Sequence, residues 1–126
     1  MGGNFVVKRR VLIVDDTADI RLMLRYLIER ENYEIVAEAA DGVEAVERFF
    51  ECRPDITIMD IDLPFKSGVQ AAREILSRNG GARIIFCSGT AKHQELSELG
   101  SGGELPSFIR KPFLPAQLYR AMDMQC

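Results

Sequence analysis

The feature that most constrains this chain is a repeated pairing of a short apolar run with an amphipathic stretch. The apolar runs fall at 11–14, 33–37, 56–59, 84–86 and 108–109, and Val11-Leu12-Ile13-Val14 is representative. Apolar side chains stand next to one another rather than in strict alternation. That is the mark of strands buried on both faces, as in parallel sheets. Between the runs the period changes. Ile20, Met23, Leu24, Leu27 and Ile28 recur at helical spacing, so one stripe of the first helix faces a core. Val43, Val46, Phe49 and Phe50 predict a second helix, and Val69, Ala72 and Leu76 a third. Asn79-Gly80-Gly81 stops the third, and Pro115 suits the first turn of a fifth. A fourth is expected near 91–99, before Gly100-Ser101-Gly102-Gly103. Strands alternating with helices predict an α/β fold: an open parallel sheet with helices on both faces. Such sheets bind ligands at the carboxyl ends of their strands.

Length and charge narrow the function. The 126 residues suffice for one domain. A net charge of −3 argues against direct nucleic acid binding, which needs a basic face. No apolar run approaches a membrane span, so no membrane contact is expected. Cys52, Cys87 and Cys126 are widely spaced and form no C-x-x-C pair, which points to a reducing cytoplasm rather than to disulfides or zinc. Cys87 lies in an apolar run and reads as core. With His93 the sole histidine, a histidine cluster is excluded.

The polar residues at the strand ends are few. The first strand ends in Asp15-Asp16, the third in Asp60, the fourth in Ser88 and the fifth in Lys111-Pro112. Crowded carboxylates repel one another unless a cation sits among them, and an all-oxygen set suits Mg²⁺. A carboxylate can attack phosphorus to form an acyl phosphate. A lysine and a hydroxyl can then serve the other phosphoryl oxygens. Taken singly, each residue has a plainer reading. Asp16 or Thr17 caps the first helix, Ser88-Gly89 is a turn, Lys111-Pro112 is surface punctuation and Phe108 is core.

Together, Leu12-Ile13-Val14-Asp15-Asp16, Met59-Asp60-Ile61-Asp62-Leu63-Pro64 with Gly68, Ser88, and Phe108-Ile109-Arg110-Lys111-Pro112-Phe113 resemble the response-regulator receiver family, the CheY-like domains of two-component signalling. The resemblance implies a flavodoxin-like (βα)5 sheet with strand order 2-1-3-4-5. It makes 9–126 the receiver domain and 1–8 an N-terminal extension. Asp60 would be the phosphoacceptor. Mg²⁺ (or Mn²⁺) would be bound by Asp16 directly, by Asp15 through water, by Asp60 and by the backbone carbonyl of Asp62. Lys111 would pair with the phosphoryl group, Ser88 would contact it and move, and Phe108 would be the switch aromatic. The Lys111-Pro112 bond is expected to be cis. Catalysis would be limited to self-phosphorylation from a phosphodonor and autodephosphorylation.

The implied partners are a sensor histidine kinase or histidine phosphotransfer protein and a downstream effector. An output domain on a longer protein is the alternative to that effector. The resemblance also leaves room for a homodimer through the face of the fourth helix, fifth strand and fifth helix. Leu96, Leu105 and Tyr119 could line a partner face, although packing explains each.

Asp62 departs from the pattern, since the family more often carries methionine or an amide there. Four carboxylates then face one ammonium, an excess expected to favour cations and to alter the phosphoryl lifetime. Thr90 is a second position where the family tunes rates. Two competing functions remain. Asp60-Ile61-Asp62 resembles the Asp-x-Asp of haloacid-dehalogenase-like phosphatases, but Pro64 stands where that motif wants Thr or Val. A receiver-shaped module working without phosphorylation would have lost part of the acidic set, which this chain retains.

Overall fold

The computed structural model describes residues 7–89 and 107–123. The five apolar runs become five strands: β1 (Arg9–Val14), β2 (Tyr33–Ala39), β3 (Ile56–Asp60), β4 (Ile84–Ser88) and β5 (Ser107–Arg110). All neighbouring pairs are parallel, in the order β2-β1-β3-β4-β5. Every strand outruns its apolar run, because ladder pairing continues into polar residues. This extension matters at the carboxyl edge. Asp60 pairs with Cys87, and Ser88 pairs with Arg110, so both are strand residues rather than loop residues.

Four helices are described: α1 (Ala18–Glu29), α2 (Gly42–Cys52), α3 (Gly68–Arg78) and α4 (Pro115–Asp123). The last is the helix that the sequence places fifth. The helix expected near 91–99 lies outside the described residues, as do Thr90, His93, Leu96 and Leu105. No described helix is long and apolar enough to cross a membrane.

Side chains alternating along β1 explain the uninterrupted apolar runs. Leu12 and Val14 join a core with Phe49, Ala72 and Ile75 of α2 and α3. Val11 and Ile13 join a second core with Leu24, Ile28, Leu118 and Met122 of α1 and α4. Both faces are covered, so the buried polar residues Asp15, Asp60 and Ser88 gather at the carboxyl edge, with Thr57 inside β3 the exception among the described residues. Two expected stripe residues fall outside the cores: Met23 is 40% exposed and Val43 45% exposed. In α1 the fully buried arc narrows to Leu24 and Ile28, and in α2 it turns toward Ala45 rather than Val43.

The helix starts are fixed by local chemistry. In α3, Ser67 Oγ accepts from Gln70 N at 3.1 Å while Gln70 Oε1 accepts from Ser67 N at 3.0 Å, a reciprocal cap. In α2, Asp41 accepts from Glu44 N at 2.7 Å. Thr17 occupies the cap position of α1 but makes no side-chain cap bond. Tyr119 Oη donates to the Leu27 carbonyl at 2.8 Å, tying α4 to α1. That contact is packing, the plainer of its two readings.

Candidate functional site

The carboxyl ends of β1 and β3 bring three aspartates together. One carboxylate oxygen from each of Asp15, Asp16 and Asp60 lies within 4.8 Å of the others. Asp15 and Asp60 are buried, and Asp16 is exposed. Lys111, just past β5, reaches across β4 to this group. Its Nζ donates to Asp15 Oδ2 at 2.6 Å and stands 3.6 Å from Asp60 Oδ2. The other Asp15 oxygen, Oδ1, accepts from Thr17 N at 2.9 Å. Asp15 is therefore fully engaged by the protein. Among the described residues, Asp60 Oδ1 accepts only a long bond from Asp62 N, at 3.3 Å.

These surroundings set the charge. Burial pushes the Asp60 carboxyl up to about 6, opposed by the nearby Lys111 ammonium and reinforced by the charge of Asp15. Burial works against the Lys111 charge, but the hydrogen bond it donates to Asp15 and the field of Asp60 outweigh it, so its pKa rises. Lys111 is thus a fixed cation. Burial also pushes the Cys87 thiol up to about 12, which makes it an inert core residue. Three carboxylates around one ammonium leave unmet negative charge, and the all-oxygen set suits a hard divalent cation such as Mg²⁺.

The other expected residues lie around this centre. Ser88 is fully buried, and its Oγ donates to Asp62 Oδ2 at 3.5 Å. Asp62 is exposed as a residue, yet its carboxylate turns toward Ser88 rather than only into solvent. Phe108 is half-buried and packs on the core of α2 and α3. The Lys111-Pro112 peptide is cis.

Two features were missed in the sequence. Gly68 lets the chain double back on β3: a Cβ there would lie 1.9 Å from the Asp60 carbonyl oxygen, and Gly68 N donates to the Ile61 carbonyl at 2.8 Å. Its place after Asp60 carried the resemblance, but not this contact. The second is Arg21, whose Nη1 donates to the Asp15 carbonyl at 2.6 Å. An arginine one turn into the helix after an Asp-Asp pair was the available signal.

The family model described as response regulator receiver domain matches residues 11–123. The sequence is 41% identical to the chemotaxis protein CheY of Thermotoga maritima over 91% of this chain and 95% of that one. It is 37% identical to the chemotaxis protein CheY of Bacillus subtilis, covering 90% and 94% of the two chains. Among solved structures, the CheX-CheY-BeF3-Mg+2 complex from Borrelia burgdorferi matches with a TM-score of 0.83 and 29% identity, over 92% of this chain and 87% of that one.

Proposed function

Because the chain belongs to the response regulator receiver domain family, we propose that Asp60 takes up a phosphoryl group from a phosphohistidine on a partner kinase or phosphotransfer protein. The family places the chain in CheY-like two-component signalling. The observation that carries the assignment of Asp60 is the gathering of Asp15, Asp16 and Asp60 within 4.8 Å, with the Lys111 ammonium 3.6 Å from Asp60.

The division of labour follows from the hydrogen bonds. Of the two buried carboxylates, Asp60 is the one with a weakly engaged oxygen, and it stands beside the Lys111 ammonium, so it serves as the nucleophile. Asp15 has both oxygens occupied, by Thr17 N and Lys111 Nζ, which suits indirect service to a cation. Asp16 is exposed and suits direct ligation, with the Asp62 carbonyl completing the set. Bound there, Mg²⁺ would offset the charge of carboxylate and phosphoryl oxygens as they approach. An Asp60 oxygen forms the new bond to phosphorus while the phosphorus–nitrogen bond to the donor imidazole breaks, and that nitrogen takes a proton from water. Lys111 holds one phosphoryl oxygen. Ser88 gives up Asp62 as acceptor and donates to another, a local exchange that Phe108 relays to the β5 face. Effector proteins read that face.

The family match displaces the phosphatase reading, and the retained acidic set argues against a module that works without phosphorylation. Incubation with acetyl phosphate and Mg²⁺ followed by intact mass measurement is the test. One phosphoryl equivalent is expected on the wild type and none on Asp60→Ala. Added mass that persists in Asp60→Ala would overturn the assignment.

A further inference from the structure

We infer that Arg21 is a positioning residue for the cation site: it fixes the peptide that joins Asp15 to Asp16, and is itself held by a clamp of Glu38 and Arg25. The inference rests on the reading of Asp15 and Asp16 as the cation-binding pair. Its evidence is geometric. The Asp15 carbonyl belongs to the peptide between the two aspartates, so its direction sets how their side chains diverge. Arg21 Nη1 donates to that carbonyl at 2.6 Å, while Asp15 N donates to the Ala39 carbonyl of β2 at 3.0 Å. The backbone of Asp15 is thereby held at both its N–H and its C=O.

The guanidinium is not free to drift. Its Nε donates to Glu38 Oε1 at 3.1 Å. Arg25, one turn further along α1, donates to the other Glu38 oxygen from Nε at 2.9 Å and from Nη2 at 2.5 Å. Arg25 Nη1 also donates to Glu29 at 3.3 Å. A planar, forked guanidinium can serve a carbonyl and a carboxylate at once; a lysine ammonium on its flexible stem holds such geometry less well. The Arg21 side chain is 20% exposed and Glu38 30%, so the contacts are shielded but not sealed. Partners that orient a metal ligand typically contribute about tenfold or more to affinity.

Two roles for Arg21 predict opposite signs. As a nearby positive charge, it weakens cation binding, and removing it would tighten the site. As a positioning residue, it strengthens cation binding, and removing it loosens the site. Titration of the full chain with Mg²⁺ by calorimetry, with no phosphodonor present, separates them. Arg21→Met is expected to bind Mg²⁺ about tenfold more weakly, with Arg21→Lys intermediate. Arg25→Met removes a charge that, among the described residues, pairs with Glu38 and Glu29, and is expected to weaken binding less than Arg21→Met.

Amide NMR shifts of Asp15 and Asp16 in the metal-free protein should move in Arg21→Met. If that variant does not fold, Arg21→Lys and Arg25→Met carry the test. Equal or tighter Mg²⁺ binding in the folded Arg21 and Arg25 variants overturns the inference. Absence of Mg²⁺ binding in the wild type would instead overturn the reading of the site.

Discussion

The two edges of the sheet both carry charged residues and treat them differently. At the amino edge Arg10 and Asp55 are tied into the backbone. Arg10 N donates to Asp55 Oδ2 at 2.7 Å, Asp55 N returns a bond to the Arg10 carbonyl at 2.8 Å, and Arg10 Nη1 donates to the Arg53 carbonyl at 2.9 Å. Arg53 itself adopts a left-handed φ of 50°, which ends α2 and turns the chain toward β3. At the carboxyl edge, Asp15, Asp16 and Asp60 share Lys111, and Asp60 is pushed up to about 6. The first arrangement stabilises the fold. The second stores unfavourable charge where a cation and a phosphoryl group can use it. Stability and function thus occupy opposite ends of the same strands.

Breaking the carboxyl edge should have the largest effect, and it should be stabilising. The folded Asp60 carboxyl sits near 6 against an ordinary 3.8, so between those values the folded chain binds more protons than the unfolded one. Stability contributed by protonated Asp60 is therefore full below about pH 4 and lost as pH rises through 6. In the metal-free protein at pH 8 the penalty, reduced by solvent screening, is about 1–3 kcal/mol. Urea unfolding of Asp60→Ala should show a gain of about 1–3 kcal/mol at pH 8 that shrinks toward pH 4. A gain independent of pH would mean that charge is not its source.

Breaking the amino edge should have the opposite sign. Asp55→Ala leaves Arg10 N without its acceptor and should cost about 1 kcal/mol in the same assay. Mg²⁺ affinity should be untouched, and a change there would show that the two edges are coupled. The smallest effect is expected at Asp62. Asp62→Asn keeps an acceptor for Ser88 but removes one negative charge beside the phosphoryl group. Lower repulsion should lengthen the acyl-phosphate lifetime a few-fold, about 0.5 kcal/mol, as suits a partly exposed charge. Equal decay rates for the two proteins would assign Asp62 no part in hydrolysis.

Much of this arrangement was legible in the residues themselves. The apolar runs identified all five strands, because burial on both faces of a parallel sheet leaves few polar residues between strand ends; helical spacing located three of the four described helices, and Pro115 marked the start of the last. The same logic singled out Asp15, Asp16, Asp60, Ser88 and Lys111 as residues that packing alone did not require. What the runs could not give was strand length. The register of β3 against β4 decides that Asp60 and Ser88 remain within the sheet.

Other properties depended on contacts between distant parts of the chain. Lys111 meets Asp15 across 96 positions, Ser88 meets Asp62 across 26, and Arg21 meets Glu38 across 17. Local pattern carries no information about such distances, because a side chain's charge and reach are fixed by its type while its partners are fixed by how the strands align. The sequence by itself determined which chemical groups stand at the carboxyl edge. Only the tertiary structure decided how close they come, and so that burial among like charges would outweigh one ammonium and push Asp60 up to about 6.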